Sequence, residues 1–308
     1  MIFQIDQTFY DSIAAPDRAQ LYSDIIMHGH YVDCNPRLRE GFHKDIEANG
    51  SRLQKDIAMK DPSLQLPTMF KQFLTTIDVN QVNSEQLYDL VNKPALLLLE
   101  NEVNERAVFT DIIHKYAKKD KSFKSLFAKL EDSLENEDFD FDQAGGCTQL
   151  VPLYQSHDKG KYHHTANWKI CMLADRDTNS ATAIMEDNKK GFLAYTCGKD
   201  VNTVTDADIY DLNQSPVIWH IWYFREIENY FPEKQFRVLG LDPNKAKDKN
   251  PDWHYRDLGT IPGYDKNNLS KLTKGMSYDD YEDGLRHFPS QGDKSEMQLF
   301  LLKLVRII

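Results

Sequence analysis

Pro94-Ala95-Leu96-Leu97-Leu98-Leu99-Glu100-Asn101-Glu102-Val103-Asn104-Glu105-Arg106 decides how the rest of the chain is read. Five consecutive apolar residues between a proline and a carboxylate predict a short strand buried on both faces. The residues that follow place apolar side chains at 108, 109, 112, 113 and 116, the spacing of a helix packed along one side. Glu100 is therefore expected where a central strand runs out into a helix. Open α/β sheets take their ligands at that edge.

A second apolar strand, Trp168 to Ala174, also ends in acid, at Asp175-Arg176-Asp177. In extended backbone, residues i and i+2 point to the same side, so Asp175 and Asp177 are expected to converge on one cation, with Arg176 turned away. One acid after one strand is an ordinary helix cap. Two buried strands that both end in carboxylates indicate a divalent-metal site. Between them, Asp138 to Gly146 alternates polar and apolar residues and ends in Gly145-Gly146, a strand with a tight exit, and Thr148 to His157 reads as the crossover helix. A β-α-β-α-β series implies a parallel sheet with right-handed crossovers. Val217 to Phe224, long, aromatic and β-branched, reads as a further buried strand, and Glu226 and Glu228 then repeat the i, i+2 spacing.

At these residues the chain resembles the Toprim family, and within it the nuclease branch typified by the OLD (overcoming lysogenization defect) proteins. The shared pattern is a strand ending in Glu, a helix, a strand ending in D-x-D, and a third acidic block. Arg225-Glu226-Ile227-Glu228-Asn229-Tyr230 is its most specific string. The resemblance covers residues 91–235 and implies a catalytic core there: a Toprim-like (Rossmann-like), mainly parallel sheet flanked by helices. Residues 1–90 and 236–308 are expected as mostly helical additions, with the terminal apolar helix from Glu296 packing on the core. The chain departs from the family at Asn101 and Asn104, where Toprim sequences carry a glycine and an acid. Glu102 and Glu105 lie beside those places, and Glu105, at the start of the helix, is the better substitute. OLD-type nucleases also use a late lysine, and Lys271 and Lys274, with Arg286, are the basic groups near the end that would serve a phosphate.

Hydrolysis of a phosphodiester needs hydroxide near neutral pH and relief of charge at phosphorus. Hard divalent cations supply both and take oxygen ligands. Mg2+ or Mn2+ is accordingly expected on Glu100, Asp175 and Asp177, with Glu228 and either Glu226 or Glu105 holding a second ion or orienting water. The expectation is a metal-dependent nuclease acting on DNA or RNA, an effector of bacterial anti-phage defence. The alternative is a non-catalytic Toprim-like subunit used in assembly. No G-x-x-x-x-G-K-[ST] motif occurs, so an ATPase partner would be a separate subunit. The terminal helix also allows a homo-oligomer.

Composition narrows the setting. The 308 residues are 41% hydrophobic, and no stretch approaches the roughly 20 apolar residues of a membrane span. The start, Met1 to Asp6, lacks the basic and apolar regions of a signal peptide. Cys34, Cys147, Cys171 and Cys197 are far apart and form no C-x-x-C pair, as in a cytoplasmic protein with free thiols. A net charge of −11 opposes general polyanion binding. The lysines from Lys115 to Lys129 read as a solvated helix face. His28-Gly29-His30-Tyr31-Val32-Asp33 contains H-x-H-x-x-D but has no matching third ligand set, and reads as a loop. His163-His164 precedes the third strand and reads as a surface turn remote from the acids. Glu186 and Asp187 are spare acids. Helices are expected over Ala19–His28, Phe42–Ile57 and Pro67–Leu74, and a strand or loop over 192–204.

Overall fold

Residues 1–90 are largely helical, and three short strands that the sequence did not reveal organise the helices. β1 (Ile2–Gln4), β2 (Tyr31–Asp33) and β3 (Thr76–Asp78) form a parallel sheet in the order β2-β1-β3. Each strand has only three residues, too few to display an alternating pattern. Helices Ala15–Met27 and Pro36–Asn49 pack on it, and the chain leaves the second at Gly50. Ser51 and Gln54 then cap a separate helix, Arg52–Ala58. The structure is a computed structural model that describes residues 1–61, 63, 66–100, 102–180 and 189–308, without the side chains of 102–104 and 268.

The next sheet carries the acidic tips. β4 (Ala95–Leu99), β5 (Phe139–Gln143), β6 (Ile170–Ala174) and β7 (Ile218–Ile221) are all parallel, in the order β5-β4-β6-β7. β4 is buried on both faces, as its unbroken apolar run requires. Ala95, Leu97 and Leu99 join Val108, Phe109 and Ile112 of helix Glu102–Lys119 in one core. Leu96 and Leu98 join Leu150 and Tyr154 of helix Cys147–Lys159 in another. Each leucine so enclosed contributes about 1.5–3 kcal/mol.

These two cores show how the chain winds. It leaves β4 along one face to reach β5, then returns along the opposite face to β6. Helix Lys190–Cys197, between β6 and β7, adds Phe192 and Leu193 to that second face. A helix therefore covers 192–197 of the stretch expected as strand or loop, and the loop begins at Gly198, φ +66°. The winding reverses beside β4. The crevice outside the carboxyl ends of β4 and β6 is thus a topological switch point, the place where such sheets take ligands.

Residues 236–308 hold short 3-10 turns, small helices, an antiparallel pair β8 (His287–Phe288) and β9 (Lys294–Ser295), and the final helix Glu296–Ile307. That helix docks on the core as expected, with the Phe300 ring 5.6 Å from Phe109 and 5.0 Å from Trp222. Its first residue, Glu296, is buried and accepts hydrogen bonds from the Tyr223 backbone N–H and the Tyr230 hydroxyl, both at 2.6 Å. Among the described residues no helix is long and apolar enough to cross a membrane. All four cysteines are free.

Candidate functional site

Glu100 follows β4 and Asp175 follows β6, and the two strands are parallel neighbours. Their tips therefore lie side by side. The Asp175 backbone N–H donates to Glu100 Oε1 at 3.0 Å. On the other flank, the N–H of Gly146 donates to the Glu100 carbonyl at 2.9 Å. Gly146 does so at φ +123°, a conformation that excludes most side chains. The Gly145-Gly146 pair is a turn that holds the backbone of Glu100.

The D-x-D stretch is a turn, which corrects the extended geometry expected for it. Asp177 has φ +55°. The N–H groups of Arg176 and Asp177 both donate to the Arg225 carbonyl, at 2.9 and 3.0 Å, which ties the second acidic block to the third. Arg176 turns away as anticipated, and its Nε donates to the Trp222 carbonyl at 2.7 Å. Glu226 and Glu228 also depart from extended backbone, because Ile227–Tyr230 is a 3-10 turn. The two carboxylates still share a neighbour. Lys266 Nζ is 3.7 Å from Glu226 Oε2 and 3.8 Å from Glu228 Oε1.

Mutual repulsion shows that the acids form one group. Burial pushes the Asp175 carboxyl well above the usual carboxylate range, reinforced by Glu100, Glu105, Glu226 and Glu228. Burial, then Glu228, raises Glu105 in the same way. Burial and Glu228 push Glu226 up to about 7. The structure thus brings together Glu100, Glu105, Asp175, Asp177, Glu226 and Glu228.

Two lysines and a tyrosine that the sequence reading did not single out sit among them. Lys189 is fully buried, with Nζ 2.6 Å from Glu100 Oε1 and 2.8 Å from Asp177 Oδ2. Burial opposes its charge, but Glu100 and Asp177 outweigh burial and hold its pKa above the ordinary lysine value. Burial likewise opposes the charge of Lys266, and Glu228 and Asp175 more than restore it. The Tyr264 hydroxyl donates to Glu228 Oε1 at 3.0 Å. The other oxygen, Glu228 Oε2, is buried and has no hydrogen-bond partner among the described residues. A lysine does come late in the chain to meet the acids, but it is Lys266. Lys271 and Lys274 are exposed, and Arg286 pairs with Asp206. Nothing in the sequence around Lys189 or Lys266 marks them, since neither lies at a strand tip.

No family model, no curated protein and no solved structure matches this chain. Among the described residues, no three His, Cys, Asp or Glu side chains stand as a ready ligand shell. Lys189 instead holds Glu100 and Asp177, and Lys266 and Tyr264 lie against Glu228. Asn101, the side chains of Glu102 and Asn104, and Glu186 and Asp187 lie outside the described residues.

The remaining candidates are dispersed. His28 bonds Asp138 at 2.8 Å, His30 is buried, and Asp33 closes β2, so the H-x-H-x-x-D stretch gathers no common ligand. His163 and His164 lie in a turn, where His163 pairs with Glu85 at 3.1 Å and Asp89 at 3.2 Å. Lys129 is half-buried with its ammonium 4.2 Å from the Tyr31 ring centre, so it departs from the solvated face expected for its neighbours.

Proposed function

We propose that this chain is a nuclease of the Toprim/OLD kind that hydrolyses phosphodiester bonds in DNA or RNA with Mg2+ or Mn2+. The observation that supports it is the hydrogen bond from Asp175 N–H to Glu100 Oε1. It joins the tips of two parallel strands at a switch point, with Glu105, Glu226 and Glu228 close enough to perturb Asp175.

The residues present suit a hard divalent cation. Every donor is a carboxylate oxygen. Among the described residues, the cations found within 4 Å of the six carboxylates are Lys189, Lys266 and Arg225, whose Nε is 3.2 Å from Glu226 Oε1. Among the described residues, the buried Glu228 Oε2 has no hydrogen-bond partner. When bound, a divalent cation supplies hydroxide near neutral pH and offsets charge on the phosphate. Asp175, Glu105, Glu226 and Glu228 would hold it. Glu100 fixes Asp175 through its backbone N–H, and half-exposed Lys266 stands where a phosphate oxygen would approach.

In this reading the chain works in the cytoplasm as a defence effector, with a separate ATPase subunit delivering or releasing it. Such a partner also answers the net charge of −11, which would otherwise slow encounter with a polyanion. Plasmid, single-stranded DNA and tRNA, each incubated with the purified chain in Mg2+ or Mn2+, test it. Cutting should appear with metal, stop with EDTA, and be lost in a folded Asp175→Ala variant. A wild type inert on all three substrates with its partner present would overturn the proposal.

A second reading, a non-catalytic assembly subunit, is favoured by the same Lys189 contacts, which occupy two of the acids. In that case Asp175→Ala would leave complex formation and its downstream effect intact.

A further inference from the structure

Two lysines enter the acidic crevice, and they are held in different ways. Lys189 is enclosed, and its ammonium makes two close charge-assisted contacts, 2.6 Å to Glu100 and 2.8 Å to Asp177. Lys266 stands 3.7 and 3.8 Å from Glu226 and Glu228, beyond hydrogen-bonding distance, with its side chain 47% exposed. One ammonium is built into the site and the other rests at its mouth.

The acids divide accordingly. Glu100 and Asp177 already share a cation. On the other side, Lys266 is the lysine beside Glu226 and Glu228, and its charge is favoured by Asp175 and Glu105 as well. Glu228 Oε2 lies on this second side, buried and without a hydrogen-bond partner among the described residues. An arriving cation can displace a half-exposed side chain into water at small cost, because the ammonium regains its hydration. Displacing Lys189 would leave the Glu100 and Asp177 carboxylates without the cation they share and would strand a fully buried ammonium, a far larger penalty.

We infer that Lys189 acts as a permanent internal cation at Glu100 and Asp177, so that the crevice takes a single divalent ion, on the Asp175, Glu105, Glu226 and Glu228 side, with Lys266 giving way to it. This inference rests on the metal reading above and narrows it: the site is a one-ion site whose second position is filled by the chain itself. The separate assignment of Glu100 and Asp177 as metal ligands is thereby replaced by a role in positioning Lys189 and Asp175.

Manganese binding tests this without reference to cleavage. Mn2+ is titrated into the wild type, Lys189→Met, Lys189→Arg, Lys266→Met and Asp175→Asn, followed by calorimetry and by the electron paramagnetic resonance of free and bound Mn2+. The wild type should bind one ion with no spin coupling between ions. Lys266→Met should also bind one, at least about threefold more tightly, because a competing charge is gone. Lys189→Met should bind a second ion and show the broadened signal of a coupled pair, whereas Lys189→Arg should remain at one. Two coupled ions in the wild type, or an unchanged isotherm in a folded Lys189→Met, would overturn the inference while leaving the metal reading in place. If Lys189→Met does not fold, the wild-type stoichiometry and the tighter binding of Lys266→Met still decide. Failure of every form to bind Mn2+ would overturn both.

Discussion

The carboxyl ends of β4 and β6 gather acids, and the amino ends of the same sheet gather bases. At the amino end Lys169, immediately before β6, is buried, and burial pushes its pKa down to about 7. Burial, with Lys169 as the next cause, brings Lys129 to about 7 as well. His30 is lowered by burial too. The space left between His30, Asp138 and Lys169 has no room for a water molecule, and Lys129 donates to the Gly29 carbonyl. The acidic end differs in kind. Among the described residues both ends hold a buried polar atom without a hydrogen-bond partner, His30 Nε2 at one and Glu228 Oε2 at the other, but only the acidic end has a lysine half in solvent. Buried like charge is therefore not by itself a sign of a binding site. A closed cluster with no space beside it belongs to packing, and an open, under-compensated one has a place for something to arrive.

Under the proposed nuclease function, the largest effect that separates the two ends is on cleavage. Asp175→Asn should lower metal-dependent cleavage at least about 100-fold, since even groups outside a metal's ligand shell cost 10–100-fold when removed. Lys169→Met should leave the rate within about twofold, as a gel-based assay would show. Equal losses from both variants would erase the distinction.

Titration should then give slopes at different pH for the two ends. Glu226 rises from an ordinary value of 4.5 to about 7 on folding. The native state thus binds more protons in that window. Without divalent ions, stability should be greatest below pH 4.5 as far as this group is concerned, and should fall by on the order of 2 kcal/mol as pH rises through 7. Urea unfolding across pH would show it, and added Mg2+ should flatten the slope. At the other end Lys169 falls from 10.5 to about 7, so the native state binds fewer protons between those values. Its contribution to stability should rise with pH over that window, with the full penalty present below 7. Lys169→Met should therefore stabilise the protein near pH 6 by on the order of 1 kcal/mol, a gain that vanishes near pH 10. A variant less stable than wild type at pH 6 would contradict this.

The smallest expected effect sharpens the account of Glu228. Tyr264→Phe removes the donor to Glu228 Oε1 and should cost about 1 kcal/mol in the absence of metal. Thermal unfolding with and without Mn2+ measures it, and the difference should shrink when the ion is present.

The strand tips were legible because burial leaves a strong mark in sequence. Ala95 to Leu99 cannot be anything but enclosed, and its periodic follower announces helix Glu102–Lys119. Glu100 and Asp175 followed from those ends, and parallel pairing brought them together. The left-handed backbone of Asp177 was not legible, since so short a turn is chosen by its tertiary partner, here the Arg225 carbonyl. Nor were Lys189 and Lys266, whose chemistry depends on what they face across the fold. β1 to β3 escaped because three residues carry no period.

Glu296 lies outside the crevice, yet its two acceptor bonds clasp Tyr223 and Tyr230, which bracket Arg225, Glu226 and Glu228 on either side. The last helix is in effect the keystone for the third acidic block. A lesion there, far downstream along the chain and touching none of the carboxylates, would loosen the crevice from behind and mimic an active-site defect.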